Sequence, residues 1–297
     1  MVDPKKLLKQ VQRYESFKSI TKAIQLVALS QLASLNKKMM SRQEALSPVK
    51  SFFTPNISKE SRDSSYLLVS ISVDKSCCGP HNGNIFKATS GLIDSFREKN
   101  KKLQLVSIGR RAKNFLKLSF RSIQLMNIYS IDKEPLSLFV STVLSDKMLK
   151  FQSDCTIFIF NRFYTAFRQH TSIYRVFSYE RFLSSMMEIL NNANLDHYDS
   201  KKYYFAYNLI NSVKDSYKSS FYTNLLWDFY KYCYSIIFLD SLEENEYSSL
   251  GARATAMNNA TKNASEVISN LRLRYNKARQ EQITTELIDI VTAVNFT

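Results

Sequence analysis

Glycine and proline are scarce in this chain of 297 residues, which has five of each and no proline after Pro135. Both residue types interrupt helices and form tight turns, so their scarcity predicts that helices dominate the second half of the sequence. Long apolar runs are also absent, since no stretch approaches the ~18 apolar residues of a membrane span. We therefore do not expect a protein integral to a membrane.

Cysteine and histidine, which carry much metal and redox chemistry, are few as well. The four cysteines include the adjacent Cys77 and Cys78 but no C-x-x-C spacing, which favours thiols over disulfides or a zinc site. The three histidines are scattered, and neither a phosphate-binding G-x-x-x-x-G-K-[ST] nor a nucleophile motif G-x-S-x-G occurs. We predict no catalytic residue, no metal and no cofactor.

Acidic side chains are outnumbered, 26 against 41 basic ones, which gives a formal charge of +15. Such an excess predicts an acidic partner, which could be nucleic acid, an anionic membrane surface or an acidic face of another protein. Charge alone does not choose among these three.

The C-terminal stretch from Leu250 to Val294 carries the strongest pattern. Apolar and small residues recur there at alternating spacings of four and three, which keeps one side of a helix turned toward a partner helix. The residues of this seam are Leu250, Ala254, Met257, Thr261, Ala264, Ile268, Leu271, Tyr275 and Ala278.

A second helix of comparable length is predicted from about Lys5 to Ser47, ended by Pro48 and Pro55. Its basic, amphipathic start also resembles a transit peptide, but the apolar stripe continues into Leu35, which favours a structural helix. At ~1.5 Å per residue the two terminal helices have similar lengths of roughly 65 Å. We predict that they pair as an antiparallel coiled coil.

Between these helices, strand and helix patterns alternate. Predicted strands at Tyr66–Val73, Leu103–Ile108, Ile123–Ile128 and Cys155–Phe160 are separated by amphipathic segments, an order that indicates a parallel sheet covered by helices. The predicted fold is therefore a Rossmann-like α/β domain inserted between two pairing terminal helices. The boundaries are 1–60 for the N-terminal helix and connector, 61–205 for the α/β domain, and 206–297 for the long C-terminal helix.

Several other segments have an unremarkable interpretation. The turn Asp74–Gly83 has two glycines at the wrong spacing for a dinucleotide site, and the aromatic segment Leu225–Leu239 is typical of packing against the α/β domain. The acidic cluster of Asp240, Glu243, Glu244 and Glu246 is most simply a solvated helix face. The basic cluster of Arg272, Arg274, Lys277 and Arg279 is either a solvated face or a surface for an acidic partner.

These residues resemble those of a known family, the gamma subunit of rotary ATP synthases. The match includes Ala252-Arg253, Ala256-Met257 and Asn259-Ala260-Thr261, and then Asn276, Arg279-Gln280, Ile283-Thr284 and Glu286 to Ile290. Further matches are Ile20 to Ala23, Leu26 to Ala28, Val69 to Ser72, Asp74-Lys75, Cys78-Gly79, Asn82, Ser107 to Arg111 and Phe160 to Phe163. The resemblance covers nearly the whole chain.

Departures from the family pattern mark a divergent member. Ile24 and Gln25 stand where the family usually has methionine and lysine, and Thr292-Ala293 stands in place of Gly-Ala. In the turn of the α/β domain, Ser76, Cys77, Pro80 and His81 replace the more typical Gly, Leu, Gly and Phe.

The resemblance implies a non-catalytic rotor shaft of the proton-transporting ATP synthase. Its partners would be alpha and beta subunits around the coiled coil, small central-stalk subunits (delta/epsilon) and the membrane c-ring, with no nucleic acid. The implied location is the matrix side of the mitochondrial inner membrane, peripheral to it. The implied subunit contacts are Arg279, Gln280, Lys22, Arg272, Arg274, Lys277, Ile283, Leu287, Ile290 and Val294.

Two other functions remain open from sequence. One is a basic coiled-coil protein that binds nucleic acid or an anionic membrane surface, with an affinity that falls steeply with salt. The other is a nucleotide-dependent enzyme on the α/β domain, which the missing phosphate loop disfavours.

Overall fold

The computed structural model describes residues 3–53, 64–131, 136–165, 168–184 and 220–295. The described helices are α1 (Pro4–Phe53), α2 (His81–Glu98), α3 (Arg110–Ser119), α4 (Leu138–Leu149) and α5 (Ser220–Asn295). The strands are β1 (Ser65–Ile71), β2 (Lys102–Ile108), β3 (Gln124–Ile128), β4 (Cys155–Thr165) and β5 (Arg168–Phe177). The predicted combination of long terminal helices and an intervening α/β sheet is confirmed.

The chain forms two compact units. Unit 1 contains residues 1–31, 77–79 and 250–297, so it holds the first part of α1 and the last part of α5. Unit 2 contains residues 32–76 and 80–249, with the whole sheet and the first part of α5.

The sheet of unit 2 has the strand order β3-β2-β1-β4-β5. The first four strands are parallel, as predicted, but β5 runs antiparallel to β4 and makes the sheet mixed. The sequence prediction missed β5 because its residues do not alternate cleanly between apolar and polar, which is the pattern of a half-buried strand.

Apolar side chains of the strands alternate between two cores, one on each face of the sheet. On one face, Tyr66 and Leu68 of β1 pack with Ile85 and Ile93 of α2 and with residues of α3. On the other face, Leu67, Val69 and Ile71 share a core with α5.

The aromatic segment of α5 fills this second core. Tyr230, Tyr234 and Phe238 are buried there, and Phe158 of β4 lies 5.3 Å from Phe238 and 5.5 Å from Tyr234 between ring centroids. The Tyr230 hydroxyl donates a hydrogen bond to the Phe177 carbonyl oxygen at 2.7 Å. The interpretation of this segment as core packing is confirmed.

The predicted end of the first helix at Pro48 is wrong, because α1 continues to Phe53. A proline inside a helix removes one backbone hydrogen bond and crowds the preceding turn, and other contacts can offset this cost. In this part of α1, Leu46 and Val49 are buried in unit 2. Pro55, the second predicted terminator, lies outside the described residues.

Candidate functional site

Unit 1 is an antiparallel pair of helix segments. The hydroxyls of Thr21 and Thr261 lie 2.8 Å apart, and the Arg272 guanidinium lies 2.5 Å from the Glu15 carboxylate. Going from the first contact to the second, the residue number falls on α1 and rises on α5, so the two helices run antiparallel. The predicted pairing of the two ends of the chain is confirmed.

The predicted seam of α5 faces this partner. Leu250, Ala254, Met257, Ala264 and Ile268 are buried. The remaining seam residues, Thr261, Leu271, Tyr275 and Ala278, are half-buried. On α1 the matching buried residues are Leu7, Val11, Thr21 and Ala28, whose spacings of 4, 10 and 7 residues are sums of steps of three and four.

The pairing does not extend to the end of α5. In the register given by the two cross-helix contacts, α1 begins at Pro4 between the levels of Ala278 and Ile283. The last dozen residues of α5 therefore continue for about 18 Å beyond the start of α1. We call residues 283–294 the apolar tip.

Aliphatic side chains of the apolar tip are exposed. Ile283, Leu287, Ile290 and Val294 are 44%, 57%, 60% and 68% exposed, and Ile288 and Val291 are exposed as well. Large apolar patches are rare on the surfaces of monomeric proteins and usually mark interaction sites. The subunit contacts that the family resemblance implies at these positions therefore coincide with a surface that the described part of unit 1 leaves exposed.

The predicted polar contact residues also lie on the surface of unit 1. Lys22, Arg274, Lys277, Arg279 and Gln280 are exposed. Arg272 is exposed too, but its guanidinium is paired with Glu15 within the unit. On α1, the outer face carries exposed Phe17, Ile20, Leu26, Val27 and Leu29.

An aspartate, Asp74, lies at the carboxyl ends of the parallel strands in unit 2 and binds backbone groups there. The Asp74 carboxylate accepts hydrogen bonds from the backbone N–H groups of Arg110 and Ser130, the latter at 2.8 Å. A cavity of about 230 Å³ next to it is lined by Ser72, Lys75, Gly109, Glu246 and apolar side chains. A dinucleotide site would present glycine amides to phosphate here, whereas this edge presents a carboxylate.

The acidic residues of α5 are the main correction to the sequence analysis. Asp240, Glu243 and Glu244 are buried rather than forming a solvated face. Glu244 pairs with the Arg162 guanidinium of β4 at 3.2 Å, and Glu246 lies 3.8 Å from the Lys75 ammonium. For Glu244, a basic partner distant in the sequence offsets the cost of burial, and helical periodicity cannot reveal such a partner.

The titration of this cluster reflects burial and charge together. Desolvation alone would lower the pKa of Arg162, but the attraction of Glu244 raises it above its ordinary value. Burial raises the pKa of Tyr174, and the nearby Asp240 raises it further. Burial also raises the pKa of the Cys233 thiol to about 12. All four cysteines are thiols.

Among the described residues, no group of three or more His, Cys, Asp or Glu is placed to hold a metal ion. Across the same ranges, no helix has the length and apolarity needed to cross a membrane.

Paired terminal helices with an α/β sheet between them in sequence define a class of coiled-coil subunits with an inserted domain. A family model described as ATP synthase matches residues 4–295. The chain therefore belongs to the ATP synthase family, as a gamma subunit.

Relatives and solved structures agree with this assignment. The mitochondrial ATP synthase subunit gamma of Arabidopsis thaliana is 26% identical, with 95% of this chain and 81% of the relative covered. The gamma chain of Rickettsia akari is 27% identical, with 97% and 96% covered. A chain of the Euglena gracilis mitochondrial ATP synthase has a similar fold, with a TM-score of 0.79, 19% identity and 98% and 93% of the two chains covered.

Membership of this family confirms the predicted role as a central-stalk subunit that performs no catalysis itself, since the catalytic sites lie on beta. None of these relatives supports the nucleic-acid alternative.

Proposed function

We propose that unit 1 of this rotor subunit turns inside a ring of three alpha and three beta subunits, with the apolar tip enclosed by that ring. The observation that carries this proposal is the exposure of Ile283, Leu287, Ile290 and Val294 beyond the start of α1. A lone helix end with aliphatic side chains on its surface requires an apolar surround to be stable in water. A sleeve formed by other subunits provides one.

Small and medium aliphatic side chains suit a rotating contact. Apolar burial is non-directional, so the interaction energy of the tip changes little as the helix turns against a smooth sleeve. The exposed Lys22, Arg272, Arg274, Lys277, Arg279 and Gln280 supply polar contacts to acidic loops of the beta subunits. Each exposed ion pair contributes only ~0–1 kcal/mol, so no single orientation becomes a deep energetic trap.

The asymmetry of the shaft couples rotation to synthesis. The ring of alpha and beta subunits has near three-fold symmetry and three catalytic sites. At any moment, each site contacts a different face of the pair formed by α1 and α5. Each orientation then stabilises a different conformation at each site, and rotation driven by proton flow shifts these populations in sequence. No chemical group of this chain takes part in bond making.

In this proposal, unit 2 contacts the membrane c-ring and the small central-stalk subunits (delta/epsilon). The proposed location is the matrix side of the mitochondrial inner membrane, peripheral to it; the mitochondrial relatives support the organelle.

Affinity purification of the tagged chain under mild conditions, followed by mass spectrometry, tests the proposal. We expect alpha and beta subunits at a stoichiometry of three each per copy of this chain, together with c-ring and small stalk subunits. Recovery of the chain with nucleic acid or lipid alone, without alpha and beta subunits, would contradict it.

A further inference from the structure

Strand β4 holds α5 by directional polar contacts as well as by apolar packing. The Arg162 guanidinium donates to Glu244 at 3.2 Å, and the backbone N–H of Asn161 donates to Asn245 Oδ1 at 3.1 Å. We call these four residues, Asn161, Arg162, Glu244 and Asn245, the α5 latch. Both asparagines are almost completely buried, with exposed fractions of 0% and 1%.

The strand side of the α5 latch is itself held in place. Asn161 Nδ2 donates to the His81 carbonyl oxygen at 2.7 Å, and its Oδ1 accepts from the Thr171 hydroxyl at 2.8 Å. Arg162 also donates to the Tyr174 hydroxyl at 2.7 Å. The donors and acceptors that meet α5 are therefore fixed to α2 and β5 as well as to β4.

Directional polar contacts can fix the rotation of a helix about its own axis, which apolar packing alone does only weakly. The aromatic segment of α5 would still bury most of its surface after a modest turn of the helix about its axis, because apolar burial depends on area and not on angle. A hydrogen bond weakens steeply with distance and angle. The α5 latch therefore fixes the rotation of α5 about its own axis relative to the sheet.

Stability alone does not account for an ion pair at this position, in which Glu244 is buried and Arg162 is half-buried. Desolvation offsets most of its Coulombic gain, and apolar replacements of similar volume are often neutral or stabilising. The position along α5 suggests another reason. The α5 latch lies within the last two turns of α5 that belong to unit 2, since residues from Leu250 belong to unit 1. Twist carried along the helix axis from this end reaches the looser Lys75–Glu246 contact and then the α5 latch, before the aromatic segment of α5.

We propose that the α5 latch is the joint that transmits torque between the α/β sheet and the long helix. This inference rests on the rotor function proposed above and adds the residues in unit 2 that bear the load. Arg162 and Glu244 are positioning residues, which act on the distant catalytic sites only through the orientation of α5.

The test compares two properties of the purified, membrane-reconstituted complex. One is ATP synthesis driven by an imposed proton gradient, and the other is uncoupled ATP hydrolysis, in which unit 2 turns against little load. The variant Arg162→Met with Glu244→Met replaces the ion pair by an apolar pair. The control Asp228→Asn removes a 2.8 Å ion pair with Lys231 that lies wholly within α5.

We expect the apolar pair to leave assembly, thermal unfolding and uncoupled hydrolysis close to wild type. Its ratio of synthesis to hydrolysis should fall about tenfold, the factor that corresponds to ~1.4 kcal/mol of lost interaction between α5 and β4. The control should keep the wild-type ratio. A stable apolar-pair variant with the wild-type ratio would overturn the inference, because a purely structural role predicts that result.

If the apolar pair fails to assemble, the isosteric variant Glu244→Gln decides the question in the same assay. A reduced ratio supports the torque joint, and a wild-type ratio rejects it. Failure of the rotor function itself would appear separately, as a wild-type chain that does not purify with alpha and beta subunits.

Discussion

At position 109, the backbone conformation and the closeness of Ser72 both require a glycine. It follows β2 with φ of 98°, a conformation that L side chains rarely adopt. A Cβ atom there would lie 2.4 Å from Ser72 Oγ and 2.7 Å from the Ser72 carbonyl oxygen. Ser72 cannot easily give way, because its hydroxyl donates to the Ile108 carbonyl oxygen at 2.8 Å. The family landmark that contains Gly109 thus has a steric basis.

Gly109→Ala should lower the free energy of unfolding by ~1–3 kcal/mol, the typical cost of a strained backbone position. Gly91→Ala is the matched control, because Gly91 lies inside α2 with open space around it. That substitution should instead stabilise the chain by ~0.5–1 kcal/mol through helix propensity. Denaturant unfolding of both variants measures the difference, and equal effects would refute the steric argument.

Arg279 and Gln280 are the polar pair that we expect to touch a beta-subunit loop. Replacing both by alanine should lower ATP turnover of the assembled complex while subunit composition stays unchanged. Both side chains are exposed in unit 1, so their removal leaves the helix pairing intact. Steady-state turnover of the purified complex is the measurement.

The control for this variant is Lys262→Ala with Asn270→Ala, which removes the same combination of one basic and one amide side chain from an exposed part of α5. The control complex should turn over at the wild-type rate. Unchanged turnover in the Arg279 and Gln280 double variant would remove these residues from the proposed contact.

At the scale of elements, the two helix segments of unit 1 are joined by a partly buried pair of hydroxyls in a largely apolar seam. The hydroxyls of Thr21 and Thr261 lie 2.8 Å apart, and each is also close to a carbonyl oxygen of its own helix. A polar pair at a seam position favours one register of a coiled coil over its neighbours.

Thr261→Val should lower the free energy of unfolding of the chain by ~1 kcal/mol, because the Thr21 hydroxyl loses its cross-helix partner in a buried position. Thr284→Val is the control, since the Thr284 hydroxyl is exposed and bonds to the Gln280 carbonyl oxygen in its own helix. Thermal unfolding separates the two. A Thr284 variant as destabilised as the Thr261 variant would argue against the cross-helix bond.

The elements differ in how far sequence could predict them. The seam of α5 was predictable residue by residue, because a spacing of four and three depends only on local geometry. Strand β5 was not, because it is an edge strand whose Ile173 and Tyr174 are adjacent rather than alternating. The continuation of α1 past Pro48 was hidden for a related reason, since tertiary contacts override local propensity.

The residues of the candidate site also differ in how far the sequence could predict them. The contact positions Ile283, Leu287, Ile290 and Val294 were available from the family resemblance. The α5 latch could not, because Arg162 and Glu244 are 82 residues apart in the chain. The available signal was weak: an acidic run in α5 directly after an aromatic segment that predicted a buried helix.

At the scale of the whole molecule, the isolated chain should bind ATP only weakly and should not hydrolyse it. The edge of the sheet where an α/β protein would hold a nucleotide carries the Asp74 carboxylate, whose charge repels phosphate. Isothermal titration calorimetry with ATP is the measurement, with an isolated beta subunit as the positive control. Micromolar affinity of this chain would contradict the assignment of all nucleotide chemistry to other subunits.

Within unit 1, helix α5 runs without a break from the buried seam residue Ile268 to the apolar tip. An α-helix turns about 100° per residue, so the number of residues between the seam and the tip sets the angle between their exposed and buried faces. Substitutions along that stretch leave the angle unchanged, whereas one inserted or deleted residue would offset every later side chain by more than a quarter of a revolution. The number of residues in this part of α5 therefore fixes the direction in which the side chains of the apolar tip point.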